Sequence, residues 1–236
     1  MFKKLVLLSI VITISLLLMP YFVYSHDFWI EKKENRFLIL SGHGKDIEGY
    51  DPNRVVNWRV FNDRAHKIKL NITKGDKMAF FNCDKNIGLI AVFFDNKYWV
   101  KTTEGWKNIG KREAENKGFQ VIESGRSYKY AKFINRWNPN FSKPLGDKME
   151  IIPLNNPLNS KNLKIQVLLD KKPLINAPIF LDAEHEERSK TDSGGFAEIQ
   201  LKNGINIIST TTKVPTSKDP DGDLIYLRAS LSFIKE

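Results

Sequence analysis

A period-two alternation of polar and apolar residues runs through most of this sequence and restricts its fold more than any other feature. Between His66 and Ile72, lysines and an asparagine alternate with Ile68, Leu70 and Ile72, which places three apolar side chains on one face of an extended strand. Leu89–Phe94 is a short apolar run, and Asp95-Asn96 ahead of Lys97–Val100 predicts a hairpin turn. Tyr128–Ile134 reads as a further strand, and Phe28–Leu40 as one long strand. No long window carries an amphipathic-helix repeat, and the one short helix candidate, 104–118, is limited by glycines at its ends.

Between Asn138 and Asn162 the composition shifts towards proline and asparagine, which predicts a domain boundary. Beyond it, Lys164–Leu169, Pro178–Leu181, Phe196–Leu201, Ile205–Thr211 and Leu224–Phe233 are separated by turn-forming stretches rich in Asp, Asn, Gly and Pro. Short strands at regular spacing imply an all-β sandwich or barrel. The expectation is therefore an all-β chain of two sandwich or barrel-like domains, 26–145 and 146–236, behind a 25-residue leader. With 236 residues, 42% hydrophobic and 27% charged, the chain is long enough for two modest cores and unlike a disordered or polytopic membrane protein.

The leader is read from Met1–Ser25. Lys3 and Lys4 precede the uncharged apolar run Leu5–Met19, Pro20 breaks it, and Val23 and Ser25 supply acceptable residues before a cleavage point. This is the pattern of a secretory signal peptide cut after Ser25, so the mature protein is expected in the periplasm or otherwise outside the cytoplasm. The alternative is a retained anchor, since Leu5–Tyr24 is just long enough to span a bilayer.

Cleavage there makes His26 the first residue of the mature chain. An N-terminal histidine offers one ion two nitrogens, its α-amine and its ring Nδ1, and the amine loses its proton easily near neutral pH. His43, between Gly42 and Gly44, supplies a second imidazole with little around it. His26 and His43 are thus the candidate metal ligands, a nitrogen set suited to copper, nickel, cobalt or zinc. Asp27, Glu31, Glu48 and Tyr50 are near enough in sequence to support the ion or to bind it axially. His66 reads as a turn residue. His185, in the acidic stretch 182–188, reads as a solvated loop residue that could add a third imidazole.

Other chemistries find less support. Cys83 is the only cysteine, which excludes a disulfide framework within the chain and a cysteine zinc cluster. Asp219, Asp221 and Asp223 resemble the opening of a calcium loop, but Gly222 and Pro220 fall in the wrong places and a turn is expected. The net charge of +10 comes from 28 lysines and 9 arginines scattered singly or in pairs, without the clustered stripes of a nucleic-acid surface. No nucleic-acid partner is expected, and the five tryptophans read as core and strand-face residues.

Several short motifs together resemble a known family. They are His26-Asp-Phe-Trp-Ile-Glu31 directly after the leader, Gly42-His-Gly44, Tyr50-Asp-Pro52, Gly146–Leu154 and the ending Asp221–Phe233. This set resembles the NikK-like extracytoplasmic proteins, a group of uncharacterised-function domains linked to nickel or cobalt uptake transporters. Lys172–Pro178, Thr191–Phe196 and Asn203-Gly204 resemble transthyretin-like or carboxypeptidase-regulatory modules, which indicate a fold more than an activity. The resemblance implies a non-enzymatic protein that captures nickel or cobalt, with His26 and His43 as ligands, and delivers it to a membrane uptake permease. The alternatives are a copper carrier, a copper-brace oxidative enzyme using His26, and a metal-free structural or adhesive sandwich.

Overall fold

The computed structural model describes residues 26–83, 86–184 and 186–236; the expected leader, 1–25, lies outside them. In chain order the strands are β1 (Asp27–Lys33), β2 (Arg36–His43), β3 (Asp46–Glu48), β4 (Val55–Asn62), β5 (Lys67–Ile68), β6 (Thr73–Lys74), β7 (Ala79–Asn82), β8 (Ile87–Thr102) and β9 (Gly105–Lys107). One short helix, α1 (Lys111–Asn116), precedes β10 (Val121–Ile134), β11 (Met149–Pro153), β12 (Asn162–Leu169), β13 (Lys172–Pro173) and β14 (Pro178–Leu181). The chain closes with β15 (Glu187–Lys190), β16 (Phe196–Gln200), β17 (Gly204–Pro215) and β18 (Leu224–Lys235). The all-β expectation holds. The sheets are open and stacked as in sandwiches, and none of those described closes into a barrel.

A nine-stranded sheet in the order β15-β14-β17-β18-β10-β8-β4-β5, with β9 on β8, forms the middle layer. One face packs against the sheet β1-β2-β7-β6, with Phe28, Ile30, Phe37, Ile39 and Phe81 set against Ile90, Val92, Phe94, Ala131 and Phe133. The other face packs against β11-β12-β13 with β16, where Met149, Ile151, Leu163, Ile165 and Val167 meet Leu89, Ala91, Leu227, Leu231 and Phe233. Neighbouring residues of β8 thus enter opposite cores, which is why 89–94 is an unbroken apolar run: a strand covered on both faces has no polar side.

The segment of shifted composition carries a short 3-10 turn (Pro139–Ser142), loop residues and β11, and the middle sheet continues across it. β10 pairs with β18 in parallel from Gly125↔Leu224 to Ile134↔Phe233, so strands from both sides of residues 145 and 146 share one hydrogen-bonded sheet. A buried ion pair adds to the join. Lys132 Nζ lies 2.6 Å from Glu150 Oε2, and Glu150 also accepts from the backbone N–H of Leu145, Gly146 and Asp147.

Three local expectations change. Asp95-Asn96 makes no hairpin: β8 runs through it, with Lys97 at φ 62° and the β8–β10 register slipping between Arg126 and Tyr128. A residue in the left-handed region serves a bulge as readily as a turn, and the two look alike in sequence. Of 66–72 only Lys67–Ile68 is paired, at the edge of the middle sheet. Within 104–118 the helix shrinks to α1, behind the β8–β9 hairpin.

Candidate metal centre

His26 and His43 are brought together by a hairpin. The strand expected over 28–40 is broken at Glu34, which turns at φ 50°, and β1 and β2 then pair antiparallel from Lys33↔Arg36 to Asp27↔Gly42. In such a ladder the residues just beyond the last pair face each other. The two imidazoles accordingly lie edge to face, their ring centroids 4.4 Å apart.

The glycine ahead of His43 has a definite job. Gly42 sits at φ 153°, and a Cβ there would lie 2.0 Å from the carbonyl oxygen of Asp46. Only glycine allows β3 to fold so closely back on β2, with His43 opposite Asp46 and Ser41 opposite Glu48. That return brings Glu48 to His26, with Oε2 2.8 Å from Nδ1. The His26 and Glu48 side chains are 41% and 49% exposed, so the cluster opens to solvent. Burial, and then the neighbouring His26, hold the His43 ring below the ordinary histidine pKa despite Asp27 and Glu48. A ring of that kind stays neutral at pH 7 and keeps a lone pair for a cation.

Beneath the histidines lies a buried charged floor. Asp27 pairs with Arg228 of β18, both shut away from solvent. Lys129 of β10 is buried and donates to the His26 carbonyl oxygen at 2.9 Å. Burial, reinforced by the Arg228 charge, brings the Lys129 ammonium down to about 7, with Asp27 and Glu48 pulling the other way. Lys129 and Arg228 were not legible as site residues. Their only sequence signal is a charge within a strand that carries other polar residues as well, which ordinarily means solvent.

The remaining candidates separate. Glu48 reaches the site and Asp27 lies under it. Glu31 stands further along β1, 3.4 Å from Lys33. The Tyr50 hydroxyl donates to Ile39 O (2.9 Å) and accepts from Ala79 N–H (3.0 Å), and burial pushes its pKa up, so it pins β2 to β7. His66 takes part in the turn before β5, its N–H donating to Asn62 Oδ1. His185 lies outside the described residues; Gly44 N–H donates to Ala183 O (2.9 Å). The three aspartates near the C-terminus are engaged by protein groups: Asp219 by Tyr98, Asp221 by Arg112, and Asp223 by Lys111 and Ser124.

Among the described residues, no three His, Cys, Asp or Glu side chains form a group able to hold a metal ion by themselves. The cluster itself is two imidazoles, His26 and His43, with the Glu48 carboxylate beside His26.

The family model described as a domain of unknown function (DUF4198) matches residues 23–214. The chain belongs to this family. The match takes in His26, His43, Glu48 and Lys129 and stops short of Arg228. An uncharacterised protein of Haemophilus influenzae is 22% identical over 211 residues, spanning 89% of this chain and 90% of that one. Among solved structures, the fibronectin(III)-like modules of Clostridium thermocellum CbhA align over 92% of each chain at 10% identity and a TM-score of 0.24, too low for a common topology. No helix among the described residues is long and apolar enough to cross a membrane.

Proposed function

We propose that this protein is an extracytoplasmic carrier that takes up a transition-metal ion, nickel or cobalt, at His26 and His43 and hands it to a membrane uptake permease. The observation that carries this reading is the meeting of the two imidazoles, 4.4 Å between centroids, at the open end of the first hairpin. Metal–imidazole bonds of ~2.0–2.1 Å let one ion bridge rings this close. Side chains alone leave the donor set short, and signal cleavage after Ser25 would complete it by turning the His26 nitrogen from a peptide into an amine. His26 Nδ1 already faces Glu48, so a cation arriving there meets a carboxylate. Open coordination at a half-exposed site suits an ion that must later leave. The resemblance to NikK-like proteins supports the choice of nickel or cobalt.

The copper-brace alternative has less behind it, because the Tyr50 hydroxyl is committed to Ile39 and Ala79. The test is to establish the N-terminus of the exported protein by mass and titrate it with Ni²⁺, Co²⁺, Cu²⁺ and Zn²⁺. His26→Ala and His43→Ala should each weaken Ni²⁺ binding by at least the ~10–100-fold that even outer-sphere changes cause. A form with one extra residue before His26 should lose affinity similarly. Equal binding by that extended form would sink the amine chelate, and a mature protein that binds none of the four ions would point to a metal-free structural role.

A further inference from the structure

β1 is the outer strand of its sheet, and the edge it turns away from β2 is not left to water. Three alternate carbonyls along that edge accept hydrogen bonds from side chains of the middle sheet. His26 O takes one from Lys129 Nζ (2.9 Å), Phe28 O one from Ser230 Oγ, and Ile30 O one from Ser232 Oγ (2.6 Å). Lys129, Ser230 and Ser232 are all buried. The spacing of two in β1 matches the spacing of two in β18, so the donors form a ladder made of side chains. Its last rung differs from the others. Where a hydroxyl serves at Phe28 and Ile30, His26 receives the end of a buried lysine, and the Asp27–Arg228 pair lies beside it.

Two facts make that rung costly as mere structure. Buried ammonium groups lose hydration that one hydrogen bond to a carbonyl does not replace. Residues at the beginning of a mature chain also fray unless something ties them down, whereas Asp27, Phe28, Trp29 and Ile30 are each no more than 1% exposed. A lysine reaching through the core to the first carbonyl holds in place the residue that carries the proposed ligands.

We propose that Lys129 is a positioning residue for metal capture: its bond to the His26 carbonyl fixes the backbone of His26 so that the ring and the freed amine both face His43. This rests on the metal reading above. Preorganised ligands bind more tightly because less freedom is lost on binding. A methionine at 129 fills similar volume, removes the donor, and leaves the Asp27–Arg228 pair and the serine rungs in place.

The experiment uses the mature protein beginning at His26, with Cu²⁺ as a spectroscopic probe and Ni²⁺ for affinity. In Lys129→Met, Ni²⁺ binding should weaken about tenfold or more, the d–d absorption and electron paramagnetic resonance parameters of the Cu²⁺ form should change, and the metal-free protein should melt no lower than wild type. Ser232→Ala should lower the melting temperature and leave the Cu²⁺ spectra unaltered. Lys129→Leu, which also lacks a donor, serves the same purpose if the methionine variant does not fold. Wild-type protein that binds while Lys129→Met gives the same affinity and spectra overturns the positioning role alone. Weaker binding with unchanged spectra also overturns it, since the lysine would then act only through charge or stability. Wild-type protein that binds neither ion overturns the metal reading itself.

Discussion

Arg228 Nη1 donates to Asp27 Oδ1 across 201 residues of chain, and neither side chain is more than 5% exposed. The pair ties the second residue of the expected mature chain to the last strand. Two charges removed from water gain from each other only while both are present, so the effect of losing one partner differs sharply from that of losing both.

Arg228→Met should therefore destabilise the protein by about 3–5 kcal/mol, because Asp27 is left buried without its counter-charge. The double variant Asp27→Leu/Arg228→Met should recover most of that loss. Urea denaturation of the two single variants and the double variant checks this, and a double variant as unstable as the sum of the singles would contradict it.

The second buried pair sets the response to acid. Burial acts to raise the Glu150 pKa, but the Lys132 charge and the hydrogen bonds from Lys132, Leu145 and Gly146 outweigh it, and the carboxyl ends below its ordinary value. At Lys132 the balance goes the other way: burial lowers the pKa, and the Glu150 charge, its hydrogen bond and Asp147 only partly offset that, with Arg59 adding to the lowering. The difference follows from the partners, since Glu150 collects three backbone N–H groups and Lys132 gains one backbone carbonyl. A carboxyl lowered on folding contributes stability that is present above its unfolded pKa of ~4.3 and fades as pH falls through the folded value. Glu150→Gln should cost about 3–5 kcal/mol at pH 7 and flatten the dependence of stability on pH below ~4.3. Urea melts at several pH values measure both; a variant with the wild-type acid profile would remove Glu150 from the account.

Gly42 and Gly44 flank the same histidine but answer to different constraints. A Cβ on Gly42 collides with the Asp46 carbonyl, while a Cβ on Gly44, at φ 53°, meets nothing within 4 Å. Gly44→Ala should cost only the ~1–2 kcal/mol of a left-handed backbone. Gly42→Ala should cost more and push β3 away from β2, separating Glu48 from His26. Nuclear magnetic resonance shifts of the His26 ring, alongside denaturation, should move in the Gly42 variant and stay in place in the Gly44 variant.

Calcium should have no effect through the Asp219–Asp223 turn. Its carboxylates are held by Tyr98, Arg112, Lys111 and Ser124, and a Ca²⁺ ion needs six to eight oxygens and would have to displace them. Thermal unfolding with and without millimolar calcium should coincide for the wild type and for Asp221→Asn. A rise in the wild type that Asp221→Asn abolishes would reinstate a calcium site.

Strand positions after residue 160 follow the sequence closely. Pro178–Leu181 is found with the expected bounds, and Ile205–Thr211 and Leu224–Phe233 lie inside longer strands. Hydrophobic alternation there is bounded by Asp, Asn and Gly turns, both of them local properties. β11 and β15 went unseen, the first because Met149–Pro153 is buried throughout and shows no alternation. At the candidate site, the nearness of His26 and His43 is what the structure adds: the sequence singles out His26 by its place after the expected cleavage point and His43 by its glycine flanks. Lys129 and Arg228 are not singled out, because burial of a charge depends on what packs above it.

Residue order alone settles that this chain makes strands and which histidine cleavage would expose. Those properties depend on neighbours one or two positions away, through the pleat and through turn chemistry. Only the tertiary structure decides that the chain breaks at Glu34 so that His26 meets His43, and that β18 returns parallel to β10 to place Arg228 under Asp27 and keep Ser230 and Ser232 along β1. Parallel pairing between segments about a hundred residues apart leaves no local trace in either segment. It is stabilised by area buried between sheets, and that area exists only once all the layers are assembled.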